Sequence, residues 1–218
     1  MTDTQQQIKN SRLILLSIVG IPVTVVLAAT WLWYFVARGD IDLVSVLGTS
    51  NNGSLVQPAR LLDEGQLQVG DRAFHYNELE PRWTLLVPGG SRCGESCEEV
   101  LYLTRQIHLA MGKELARIQR FYVSDTAVAD THFGVTTLSD KHPAPLHFEQ
   151  YLEDEQRGLK HYTMPSRHIA ELFPEYLADP GTWYLVDPAG WIMMSYHSEV
   201  SYKDVMADLK FLLKNSSE

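Results

Sequence analysis

Only two cysteines occur in the 218 residues of this chain. So few cannot frame a small disulfide-stapled scaffold, in which several bridges stand in for a core. Basic residues are also scarce: 18 Lys and Arg face 27 Asp and Glu, a formal net charge of −9. A protein that grips phosphate backbones needs a basic face, so no nucleic-acid partner is expected. No internal repeat or low-complexity tract stands out. What remains is ordinary globular material, 45% hydrophobic and 21% charged, enough to build a core.

The apolar residues are unevenly placed. Leu13 to Val36 carries no charge, and as a helix it would extend roughly 30 Å or more, the thickness of a bilayer core. Gly20 and Pro22 are tolerated in membrane helices, and Trp31, Trp33 and Tyr34 sit where an aromatic belt would lie. One transmembrane helix over 13–36 is therefore expected. The rival is a cleavable signal peptide ending near Ala28-Ala29, but signal cores are shorter and cleavage would leave an aromatic cluster on the mature end. Lys9 and Arg12 precede the run and Arg38 follows it, which favours a cytoplasmic N-terminus and an exported domain. The expected division is a tail over 1–12, the span over 13–36, a linker over 37–70 and a folded domain over 71–218.

Within that domain the short apolar run Trp83 to Val87 reads as a strand ended by Pro88-Gly89-Gly90. A helix is expected from Glu98 to about Leu115, and a second strand from Ile118 to Val123. Residues 139–180 are polar and interrupted by proline, with a helix near Arg167 to Phe173. Thr182 to Val186 and Trp191 to Tyr196, joined by Asp187-Pro188-Ala189-Gly190, read as a hairpin. Ser201 to Leu213 closes the chain as an amphipathic helix. One sheet covered by helices packs that order of elements economically. Upstream, Pro58 would interrupt any extended ladder.

Cys93 and Cys97 lie between the first strand and the first long helix, in SRCGESCEEVLYL. Helix N-terminal amides stabilise a thiolate, so the position suits disulfide exchange or a soft-metal site for Cu(I) or zinc. A purely structural disulfide is the alternative. Glu95, Glu98 and Glu99 would oppose thiolate formation by like charge, or cap the helix; capping is the expected role.

The strand WTLLV, the CGESC motif at 93–97, the helix after it, and YLVDPAG at 184–190 ahead of the last strand and helix together resemble the SCO/SenC family. The resemblance covers roughly Leu47 to Leu213. It implies a thioredoxin-like α/β fold, a central sheet flanked by helices and preceded by the membrane anchor. It also implies a bacterial inner-membrane protein with a periplasmic domain that serves respiratory cytochrome c oxidase assembly. The implied chemistry is thiol–disulfide exchange or transient Cu(I) handling through Cys93 and Cys97, with Cys93 the exposed attacking thiol. Implied partners are the lipid bilayer and an oxidase subunit or other copper/thiol assembly protein. A membrane-tethered scaffold with an inert disulfide is the competing function.

Two departures from the family pattern stand out. Glu98 occupies the place of a proline after the second cysteine, and Asp179-Pro180 replaces the Asp-His step that supplies the third copper ligand. In thioredoxin-like folds a cis proline lies beside the cysteines, a role open to Pro180. His142, His147, His161, His168 and His197 are candidate replacement ligands, and one of Met193 and Met194 is expected in the core because neighbours on a strand face opposite ways.

Overall fold

The computed structural model describes residues 2–37, 51–62, 67–70 and 72–216. The chain forms two compact units, 1–50 and 51–218. Of the linker expected over 37–70, residues 38–50 and 63–66 lie outside the described residues, as does the boundary residue Asp71.

The described residues of the first unit form the helix α1 (Thr2–Ala37), with Pro22 inside it. Among the described residues no helix is long and apolar enough to cross a membrane. This corrects the transmembrane helix expected over 13–36. With it go the single-pass topology, the inner-membrane location, the cytoplasmic N-terminus and the periplasmic domain. Within α1 stand Gly20, Pro22, Thr24 and Thr30, and the two threonine hydroxyls bond back to carbonyls of the preceding turn.

The second unit is built on a mixed sheet. Its strands are β1 (Ser54–Leu61), β2 (Leu67–Val69), β3 (Arg72–Phe74), β4 (Trp83–Gly89), β6 (Ile118–Ser124), β8 (Leu159–Thr163), β9 (Trp183–Val186) and β10 (Trp191–Tyr196). They lie in the order β1-β10-β9-β4-β6-β8-β2-β3. β4, β6 and β8 run parallel, while β9, β10 and β1 continue the sheet antiparallel. A two-stranded parallel ladder, β5 (Arg92–Cys93) with β7 (His132–Phe133), stands apart. The helices are α2 (Glu95–Ala110), α3 (Phe148–Glu155), α4 (Ser166–Leu172), α5 (Pro174–Ala178) and α6 (Tyr202–Asn215).

Every residue of β4, β6 and β9 is buried, as expected where helices cover both faces of a sheet. Alternation then splits the apolar residues between two cores. Leu85, Ile118, Tyr122, Trp183 and Leu185 pack with Val100, Leu101, Ile107, Val205 and Leu209 of α2 and α6. Leu86, Phe121, Val123, Tyr184 and Val186 pack on the other face with Ile169 and Phe173. Met194 enters the first core at 2% exposure. Gly89 is required where it stands, because a Cβ there would fall 2.1 Å from the Tyr122 hydroxyl.

The expected hairpin, the strands at 83 and 118 and the closing helix are all present. The helix expected to reach Leu115 instead ends at Ala110, followed by a 3₁₀ turn that begins at Gly112, φ +57°, a backbone angle at which glycine commonly stops a helix. Pro58 does interrupt the β1 ladder, whose register shifts between Leu55 and Arg60.

Candidate functional site

The cysteines meet at the junction that the sequence pointed to. Cys93 ends β5, held extended by its pairing with Phe133. The amide of His132 donates to the Ser91 carbonyl and that of Gly134 to the Cys93 carbonyl, both at 2.9 Å. Gly94 is the N-cap of α2, and Cys97 lies in the first turn. The two sulfurs are joined as a disulfide with a Cα separation of 5.2 Å, inside the range the bond requires.

Exposure runs opposite to the expectation that Cys93 would be the accessible thiol. Cys93 is 0% exposed, sealed by the β5–β7 ladder, whereas Cys97 is half-buried. Cys97 forms part of the wall of a hollow of about 400 Å³, together with Arg92, Gly94, Glu95, Gly134, Tyr176 and Pro180. Three stretches of chain, 92–97, 134 and 176–180, thus border one hollow. Gly134 matters here because a Cβ would lie 3.1 Å from the Arg92 guanidinium. Pro180 does reach the cysteine neighbourhood. Its peptide bond is trans, since the cis bond among the described residues is Gln57–Pro58. The Asp179 side chain holds its loop by accepting from Gly181 N at 2.9 Å.

The partial positive charge of the α2 N-terminus favours a thiolate at Cys97 once the bond opens, and Arg92 and Glu95, both lining the hollow, add charges of opposite sign. Glu98 does not cap the helix as expected. It points inward at 3% exposure, accepting from Ser139 N at 3.1 Å and from Ser139 Oγ at 2.5 Å. Burial, with Asp125 nearby, raises the Tyr176 phenol above its ordinary range.

The candidate third ligands go elsewhere. His197 Nδ1 lies 3.0 Å from Thr182 Oγ1 and 3.5 Å from Asp179. His142 faces Asp140 at 3.4 Å, and His168 Nε2 accepts from Arg167. His147 is the N-cap of α3, His161 is exposed on β8, and none of the five lines the hollow. Among the described residues no group of three His, Cys, Asp or Glu is placed to hold a metal ion. Cu(I) requires thiolate sulfur; in this oxidised form both sulfurs are bonded to each other, so only the reduced pair could hold copper, and without a third ligand among the described residues.

Arg92, Gly134 and Tyr176 were missed from sequence. Arg92 had a signal, adjacency to Cys93. Gly134 and Tyr176 had none, because only the β5–β7 pairing and the α5 packing bring them to the sulfur.

A mixed sheet with a cysteine pair between its first central strand and the following helix defines a thioredoxin-like protein. The profile of the family described as "transmembrane-like, thioredoxin-like, C-terminal domain" matches residues 83–216, and the chain belongs to that family. Among solved structures it is similar to apo Sco1 from Thermus thermophilus, with 18% identity and a TM-score of 0.51, covering 75% of this chain and 97% of that one. It is likewise similar to yeast Sco1, with 14% identity and a TM-score of 0.53, covering 75% and 99%. At those identities the likeness is one of fold, a thioredoxin-like fold of the kind seen in these Sco proteins. No curated protein matches.

Proposed function

We propose that this protein is a thiol–disulfide oxidoreductase acting through Cys97 and Cys93, with Cys97 the sulfur that meets the partner. The single observation that carries the reading is the asymmetry of the disulfide, one sulfur sealed in a strand ladder and the other in the wall of an open hollow. In one direction a partner thiolate attacks Cys97 Sγ. The Cys97–Cys93 bond breaks, and Cys93 leaves with the electron pair and takes a proton. A second partner thiol then attacks the partner's own sulfur in the mixed disulfide and releases Cys97 as a thiolate beside the α2 amides. Two electrons pass to this protein and the partner gains a disulfide. The reverse sequence reduces a partner disulfide through the same intermediate. Pro180 and Tyr176 bound the approach to Cys97 and would orient the partner chain.

The partner is a protein presenting a cysteine pair. The SCO/SenC resemblance favours the copper-site subunit of a respiratory cytochrome c oxidase, with the partner's cysteines, not this chain, holding the metal. Copper handling by this chain is disfavoured by its ligand set.

Trapping tests the reading. Cys93→Ser, which leaves Cys97 unable to be resolved, is expected to accumulate a mixed disulfide with an oxidised dithiol peptide. Cys97→Ser is expected to trap little, because Cys93 is buried. If the wild-type disulfide resists glutathione and dithiothreitol while the chain stays folded, the bridge is structural and the proposal fails. Equal trapping by both variants would overturn the assignment of Cys97.

A further inference from the structure

A second polar site lies at the other end of α2, away from the cysteines. Arg120, in the middle of β6, is 1% exposed. Its Nη2 donates to Gln156 Oε1 and to the Leu101 carbonyl, both neutral acceptors, and its Nε is buried with no hydrogen-bond partner. A guanidinium taken out of water is normally matched by a carboxylate or another anion, because an uncompensated buried charge is strongly destabilising. The acid nearest along the hydrogen-bond chain is Glu98, reached through Gln156 and Tyr151, two neutral links away.

Arg120 does border open space. With Arg105, His108, Asp154, Glu155 and Arg157 it lines a hollow of about 380 Å³. The charges there are unequal in availability. Arg105 is engaged by Glu155 at 2.9 Å and faces Asp140 at 3.9 Å. His108 places Nε2 3.1 Å from the carbonyls of both Leu115 and Ile118, and burial lowers its pKa, so it contributes a neutral ring. Asp154 adds one carboxylate. Arg120 and Arg157 remain as cations that can face a ligand, and burial with the adjacent Arg105 already depresses Arg120 to about 10.

We infer that this hollow binds a small oxyanion, a phosphate or a carboxylate group, with buried Arg120 at its floor and Arg157 at its rim. A planar guanidinium with a vacant Nε–H is suited to such a ligand, since paired N–H donors match two anionic oxygens. The volume exceeds that of a bare ion, so the group would be carried on a small molecule. The site is separate from the disulfide and does not depend on its chemistry.

The test uses the full oxidised chain titrated with inorganic phosphate, acetate and chloride at constant ionic strength, followed by amide chemical shifts and thermal melting. Saturable shifts at Arg120, Gln156 and Arg157 with phosphate or acetate are expected, and whichever of the two binds names the group. Arg157→Gln, at an exposed position that leaves the core intact, is expected to weaken binding about tenfold, the effect of one lost charge-assisted hydrogen bond. Arg120→Gln is expected to abolish it; Arg120→Lys, which keeps the charge but not the fork, covers the case where the glutamine variant fails to fold. Shifts that chloride reproduces, an adventitious ion only, or binding that survives Arg157→Gln and Arg120→Lys unchanged, would overturn the inference.

Discussion

Glu98 is the most exacting residue of the site to perturb, because it follows Cys97 directly and yet faces the core. Its carboxylate takes both the amide and the hydroxyl of Ser139, at 3.1 and 2.5 Å, and it lies 3.5 Å from the Tyr151 hydroxyl. Tyr151 in turn accepts from Gln156 Nε2 at 2.8 Å. Replacing Glu98 by alanine leaves the half-buried amide and hydroxyl of Ser139 without this acceptor. Hydrogen bonds to a charged group contribute about 1.5–3 kcal/mol each, and an orphaned buried donor costs about 1–3 kcal/mol. Against this stands the desolvation of the carboxylate, which alanine relieves. The expected net loss for Glu98→Ala is about 2–4 kcal/mol, read as a lower midpoint in urea unfolding of the oxidised chain with unchanged slope. Glu98→Gln keeps one acceptor oxygen but turns an amide donor toward Ser139, and about half the loss is expected.

The reasoning is open to refutation by a double-mutant cycle. Ser139→Ala removes only the hydroxyl partner, and its coupling to Glu98→Ala is expected at about 1 kcal/mol or more. A Glu98→Ala loss below about 0.5 kcal/mol, the size of an ordinary surface change, would show that the contact does not hold residues 134–143 against α2. Strict additivity with Ser139→Ala would show the same.

Other parts of the frame make comparable demands. Asp208 of α6 is 3% exposed and accepts from Asn52 N, Gly53 N and Tyr196 Oη at 3.0–3.1 Å, so Asp208→Ala is expected to cost about 2–4 kcal/mol by chemical denaturation. Asp208→Asn, which must present an amide to one of those donors, should lie between. Arg60 of β1 binds Glu175 at 2.8 Å. Burial pushes the Glu175 carboxyl up, but the Arg60 and Tyr184 hydrogen bonds outweigh it and the net shift is down from 4.5. A depressed folded-state value means this stabilisation is present above the unfolded pKa and is lost as pH falls through the folded one. Arg60→Gln should therefore lower the melting temperature at neutral pH and leave it unchanged at pH well below 4.5; an equal loss at both would refute the linkage.

Elements with one clear period were legible in the sequence, and those made by pairing alone were not. WTLLV and the TWYLV–WIMMSY hairpin are short, largely apolar runs between turn residues, in keeping with burial on both faces, and IQRFYV reads as a strand although Gln119 and Arg120 are polar and buried. β8 is different. Its Lys160 and His161 are exposed and Tyr162 is buried, a mixed pattern that resembles a loop until β6 supplies the partner. β2 and β3 are three residues each, too short to show alternation. For the site, spacing placed both sulfurs at a strand–helix junction but could not rank their exposure. That ranking depends on β7, forty residues downstream in sequence terms from Cys93 (His132–Phe133) and only two residues long.

The same two-residue ladder bears on the proposed chemistry. It removes Cys93 from solvent, so under the proposed exchange a partner in either redox direction would meet Cys97 first. It also sets Gly134 beside Arg92, and a side chain there would press on the guanidinium at 3.1 Å. Arg92 is thereby kept at the wall of the hollow, where its charge favours a thiolate and repels a metal cation. The same hollow is also lined by Pro180, which has neither a donor atom in its side chain nor a backbone N–H. A residue that can only exclude volume, sharing a hollow with Cys97 and a cation, is consistent with the proposed cysteine-bearing chain and offers an ion no third ligand. Pro180→His would restore such a ligand, and the reduced variant is expected to take up Cu(I) more tightly than the wild type in anaerobic titration. Equal affinity would mean that Pro180 does not face the sulfurs closely enough to have shaped the site.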